Sequence, residues 1–73
     1  MATQIYAPLD GKIARIFIKI GDQVEKDEPV ATIEALKNEM PIHSPVDGTI
    51  KQLCITEGQE VKTDALLMVI DQS

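Results

Sequence analysis

Two stretches of the chain decide its architecture. Residues 7–35 read APLDGKIARIFIKIGDQVEKDEPVATIEA, and residues 44–72 read SPVDGTIKQLCITEGQEVKTDALLMVIDQ. They align at a constant offset of 37 without a gap, with nine identities in 29 positions. Pro8 matches Pro45, Asp10 matches Asp47, Gly11 matches Gly48, Gly21 matches Gly58, and Ile33 matches Ile70. A repeat array normally needs three or more units to bury a continuous core. Two copies must instead face each other and share one core. The repeat therefore predicts a pseudo-two-fold sandwich occupying 1–73 as a single domain.

Each copy reads as strands. Asp-Gly at 10–11 and 47–48 signals a tight turn. The runs Lys12 to Ile20 and Thr49 to Glu57 follow, bounded by Gly21 and Gly58. Shorter runs sit around Val24 and Val61, then at Pro29 to Glu34 and Leu66 to Asp71. With Thr3 to Ala7 and Glu39 to Ser44, about eight short strands result, which suits a small all-β barrel or sandwich. Ile13 and Ile16 break the period of two, so a bulge is expected between them. The twinned glycines imply φ values that other residues tolerate poorly. Helix-forming residues at Glu60 to Met68 and Glu34 to Met40 do not make helices. The first segment is the partner of one interrupted by Pro29, and the second is too short to stand alone.

Composition narrows the function. Ile, Val and Thr supply 20 of 73 residues, a strand-leaning bias. A compact chain of this length has a radius of gyration of about 11 Å. It is too small to enclose a typical ligand pocket of roughly 300 Å³ and still keep a core, which argues against a self-contained enzyme. A core at this size supplies only about 3–5 kcal/mol. One cysteine, Cys54, and one histidine, His43, make neither a disulfide nor a zinc site. Cys54 is expected as a small core or interface residue, and His43 as a solvated strand residue. The net charge of -5, with one Tyr, one Phe and no Trp, excludes the basic, aromatic surface that nucleic acid requires. No apolar run is long enough to insert into a membrane, and Met1 to Tyr6 is no signal peptide. A free thiol without a leader points to the cytoplasm.

Function is expected where the repeat breaks. Residues 36–43 join the copies and have no counterpart. Lys37 lies in this link, between strands, and should stand at the tip of a hairpin around 36–38. The local turn chemistry is unusual. A two-residue hairpin favours Asn-Gly or Asp-Gly, and Ala35-Leu36-Lys37-Asn38 offers neither. Broken local rules often mark functional sites.

The run Glu34-Ala35-Leu36-Lys37-Asn38-Glu39, followed by Ile42, Ser44-Pro45 and Asp47-Gly48, resembles the biotinyl/lipoyl attachment domain family. It is most similar to the biotinyl branch, whose pattern is Glu-Ala-Met-Lys-Met-Glu. The resemblance covers nearly the whole chain. It implies a flattened eight-stranded barrel-sandwich of two quasi-symmetric halves, with Lys37 as the attachment lysine for covalent biotin. Leu36 and Asn38 replace the family's methionines, which by resemblance concern how partner enzymes use biotin more than attachment itself. Met40 is a candidate substitute for the missing methionine. The lipoyl branch typically carries Asp before its lysine and Ser or Thr before that. Leu36 and Ala35 therefore favour biotin, with lipoate as the alternative cofactor.

The resemblance implies a non-catalytic carrier. A lysine amine is neutral in fewer than about one molecule in a thousand at pH 7, so a biotin protein ligase must supply an activated acyl group. The partners implied are a biotin carboxylase and a carboxyltransferase or decarboxylase, between which a swinging arm carries a carboxyl group. Glu34 and Glu39 are candidates for docking these partners. A lipoyl carrier of an oxo-acid dehydrogenase complex, or an unmodified protein-contact barrel, are the competing expectations.

Overall fold

The computed structural model describes residues 1–72. Its eight strands are β1 (Ala2–Tyr6), β2 (Gly11–Ile16), β3 (Gln23–Val24), β4 (Pro29–Ala35), β5 (Asn38–His43), β6 (Gly48–Leu53), β7 (Glu60–Val61) and β8 (Leu66–Asp71). Among the described residues there is no helix, and so none long and apolar enough to cross a membrane. Two four-stranded antiparallel sheets form, in the orders β1-β8-β6-β3 and β5-β4-β2-β7. The all-β barrel-sandwich expectation holds. The radius of gyration is 11.3 Å, and the molecule measures 36 × 18 × 17 Å.

The two sheets are related by the 37-residue offset down to individual hydrogen bonds. The Ala7 N–H donates to the Ala65 carbonyl at 2.9 Å, and the Ser44 N–H donates to the Glu28 carbonyl at 2.8 Å. Ile13 N–H to Gln59 O and Ile50 N–H to Asp22 O form another such pair, at 2.8 and 2.9 Å. The expected bulge is present twice. The β2–β4 register shifts between Ile13 and Arg15, leaving Ala14 extra, and the β6–β8 register shifts between Ile50 and Gln52. Each bulge lets two aliphatic residues three positions apart both turn inward, Ile13 with Ile16 and Ile50 with Leu53. At the far end of the sandwich from the β4–β5 turn, β1 and β8 close with Ala2 opposite Asp71, and the Gln72 N–H donates to the Met1 carbonyl at 2.6 Å.

The core is aliphatic and lies between the sheets. Ile13, Ile33, Ile50, Leu67, Met68 and Ile70 are fully buried, with Val30 and Ala31 beside them. Aliphatic side chains of this size contribute about 1.5–3 kcal/mol each on burial. That burial holds a chain with no disulfide.

Several expectations are corrected. The runs at 12–20 and 49–57 are strand only as far as Ile16 and Leu53. Beyond them side chains compete for the backbone: Asp22 Oδ2 accepts from the Lys19 N–H, and Gln59 Oε1 from the Thr56 N–H. The tight turns that follow place Gly21 and Gly58 at φ 96° and 90°. Asp10-Gly11 is a crossing between sheets, and Gly11 already belongs to β2. Gly11 and Gly48 are needed for space rather than for φ. A Cβ on Gly11 would lie 2.7 Å from the Glu34 carbonyl oxygen, and one on Gly48 2.6 Å from that of Asp71. Cys54 is exposed, because both it and its repeat partner Phe17, 52% exposed, lie past the last inward-facing residue of β6 and β2.

Candidate functional site

The link between the copies is a β-hairpin. In β4 and β5, Ile33 faces Met40, Glu34 faces Glu39, and Ala35 faces Asn38. That leaves two residues, Leu36 and Lys37, to reverse the chain. Their φ values are 52° and 66°. A two-residue hairpin matched to strand twist needs positive φ at both positions. Leucine and lysine adopt it at a cost of roughly 1–2 kcal/mol each. The register of β4 on β5, fixed by the buried Ile33 and Ile42, imposes what the local sequence disfavours.

The turn is presented to solvent. Leu36 is 92% exposed, and Lys37 is exposed. Among the described residues no carboxylate lies within ion-pair distance of the Lys37 ammonium. Its side chain is thus held by its backbone alone, at the tip of a rigid hairpin. This suits covalent loading by another protein's active site.

The flanking residues form a charged row on the outer face. Cross-strand neighbours run Glu60, Lys12, Glu34, Glu39 across β7, β2, β4 and β5. The repeat-related row on the other sheet is Gln23, Thr49, Asp71, Ala2, and is far less charged. Glu34 and Glu39 face each other directly, an arrangement that destabilises a sheet. Arg15 offsets part of it, with its Nε 3.3 Å from Glu39 Oε2. Both partners are partly exposed, so the pair adds well under about 1 kcal/mol.

Beside the hairpin lies an open groove of about 470 Å³, walled by Leu36 and Ala35 on one side and by β2 and β7 on the other. Asp10 stands at its edge. Its carboxylate accepts hydrogen bonds from the Thr63 N–H at 2.7 Å and the Thr63 hydroxyl at 2.9 Å. These bonds, with the charge of Lys62 alongside, hold its pKa below the ordinary aspartate value. Asp47, its repeat partner, accepts from the Lys26 N–H alone. The groove and Asp10 escaped sequence reasoning; the signal was the Thr63/Lys26 mismatch in the repeat.

Other candidates fall away from the tip. Met40 is half-buried and packed on the core, so it does not stand in for a methionine beside Lys37. His43 is exposed at the far end of β5, opposite Pro29. Among the described residues no group of three or more His, Cys, Asp or Glu could hold a metal ion.

Comparison with known proteins agrees with this geometry. Residues 1–70 match the family described as biotin-requiring enzyme, so the chain belongs to the biotinyl/lipoyl attachment domains. A stretch of 37 residues is 43% identical to the 2-oxoglutarate carboxylase large subunit of Hydrogenobacter thermophilus, spanning 51% of this chain and 6% of that protein. The fold superposes on a single-chain, multi-domain long-chain acyl-CoA carboxylase with a TM-score of 0.92 at 21% identity, covering 99% of this chain and 7% of that one. The Kluyveromyces lactis urea carboxylase gives 0.90 at 28% identity, over 97% of this chain and 6% of that one. The lipoyl domain of the 2-oxoglutarate dehydrogenase complex of Azotobacter vinelandii gives 0.82 at 31% identity, over 94% of this chain and 95% of that domain. The chain thus spans only 6–7% of the carboxylases it matches.

Proposed function

We propose that this chain is a biotin carboxyl carrier, itself non-catalytic, with biotin amide-linked to Lys37. The observation that carries the reading is Lys37 itself: exposed, without an ion-pair partner among the described residues, and at the tip of a two-residue turn in a member of the biotin-requiring family. In attachment, the neutral Lys37 amine attacks the acyl carbon of biotinyl-adenylate. The new amide bond forms as the acyl-phosphate bond breaks, AMP leaves, and a proton passes to a base on the ligase. Biotin, once attached, would supply a ureido nitrogen able to take up and release a carboxyl group.

The chain's own contribution is presentation. The hairpin projects the lysine, and the paired strands keep its base from moving. Loading removes the Lys37 charge and takes the net charge from -5 to -6. Glu34 and Glu39, the opposed pair beneath the tip, suit docking to basic rims on the ligase and on the carboxylase and carboxyltransferase or decarboxylase partners. Tethering raises the local concentration of the arm to the mM range at each partner site.

Lipoate is the second reading, favoured by the 31% identity to a lipoyl domain of matching length. Against it stand Ala35 and Leu36, where the lipoyl pattern has Ser or Thr and then Asp. Intact mass after incubation with biotin, ATP and a biotin protein ligase, then peptide mapping, decides. A single biotinyl addition on Lys37, abolished in Lys37→Ala, is expected. Lipoylation by a lipoate ligase in place of biotinylation would overturn the biotin reading, and modification by neither would leave a protein-contact barrel.

A further inference from the structure

We propose that the groove beside the hairpin is a resting cradle for the biotinyl arm. This rests on the reading of Lys37 as a biotinylated carrier lysine. The groove shares a wall with the turn, because Leu36 lines it and Lys37 is the next residue. Reach is ample. Three bonds of extended chain span about 3.8 Å. The roughly eleven bonds from the Lys37 Cα to the bicyclic ring therefore reach about 14 Å, against a molecule 18 Å wide.

Leu36 supplies the first argument. It is 92% exposed in a strained left-handed conformation, so neither packing nor backbone preference in the unmodified chain explains a leucine there. Against an apolar arm lying in the groove, its side chain gains a partner.

The groove's chemistry supplies the second. A cyclic urea is neutral, with two N–H donors and one strong carbonyl acceptor. The groove offers carboxylates from Glu34 and Glu60 to receive the N–H groups, and ammonium groups from Lys12 and Lys62 to meet the carbonyl. A dithiolane has none of these groups to pair. The repeat provides an internal comparison. The equivalent groove at the other end, about 430 Å³, has Thr49 for Lys12, Gln23 for Glu60 and Glu25 for Lys62. Ammonium groups set beside carboxylates line only the groove on the side that carries the lysine. Parking there keeps the hydrophobic ring off other surfaces, while the open groove lets a partner site withdraw it.

The test compares amide spectra of the unmodified and fully biotinylated protein. Shifts are expected at Asp10–Lys12 and Glu60–Lys62, with silence at the equivalent residues Asp47–Thr49 and Gln23–Glu25. Shifts confined to 35–39, or equal in both grooves, would overturn the cradle. A second arm uses the exposed triple substitution Lys12→Ala, Glu60→Ala and Lys62→Ala, biotinylated to completion. Streptavidin should capture it about threefold faster than the parent, the ratio expected when roughly one parental arm in three is free. Equal rates would refute parking. Absence of biotin by mass would overturn the biotin reading and the cradle with it, whereas complete biotinylation with a silent groove would overturn the cradle alone.

Discussion

Replacing Leu36 with asparagine should make the protein more stable. Leu36 sits at φ 52°, a conformation that costs most L-residues roughly 1–2 kcal/mol and asparagine distinctly less. What leucine gives back is small. At 92% exposure it has lost about a tenth of its surface to the fold, worth only about 0.2 kcal/mol. The net gain is therefore about 0.8 kcal/mol, or about 3–6 °C in Tm for a domain of this size. Urea and thermal unfolding of Leu36→Asn, beside Leu36→Ala as a control, would measure it. Alanine keeps a Cβ and therefore the strain, so its stability should stay within about 0.3 kcal/mol of the parent. If asparagine gave no gain, or alanine gained equally, the strain argument would be wrong. A gain in Leu36→Asn accompanied by slower carboxyl transfer would show that the leucine is kept for function at the expense of stability.

Further outcomes follow from other sites. Gly11→Ala should destabilise by about 1–3 kcal/mol, since its Cβ meets backbone oxygen at 2.7 Å, and Gly48→Ala should do the same; a neutral result in urea unfolding would contradict the packing. Ile50→Ala, at a fully buried position, should cost about 2–5 kcal/mol, comparable with the whole stability of so small a core, and leave little folded protein by circular dichroism. Asp10 has a lowered folded pKa, so its contribution is present above the ordinary aspartate value and lost as pH falls through the folded one. The Tm gap between the parent and Asp10→Asn should be full at pH 6 and close below about pH 4; a gap that widened on acidification would reverse the sign.

Much of this fold was legible because the repeat states it twice. Strand number and the bulge between Ile13 and Ile16 follow from spacing that survives in both copies, and the hairpin position follows from the link between them. What stayed hidden depends on contacts between residues far apart in sequence. Nothing in Ala35-Leu36-Lys37-Asn38 announces positive φ, because strand register rather than local preference imposes it. Gly11 reads like a turn glycine, yet it is needed because Glu34 and Ile33 press against it from β4. Cys54 looked like a core residue because runs of apolar residues read as strand. Asp22 and Gln59 end those runs early by capping the backbone. Lys37 stood out for the opposite reason: it lies where the duplication has no copy.

The closure of β1 on β8 has a topological consequence. Under the 37-residue offset, Met1 corresponds to Asn38 and Gln72 to Ala35, so the meeting of the two chain ends is the hairpin's own counterpart without its loop. The termini and Lys37 therefore mark opposite poles of a 36 Å body. Any polypeptide continuing from either end departs from the pole away from the lysine, which makes the domain a lever rather than a bead on a thread. The same geometry makes the chain circularly permutable: a two-residue bridge from Gln72 to Met1 and a cut in the 36–37 turn would exchange the roles of the poles while keeping every strand pairing.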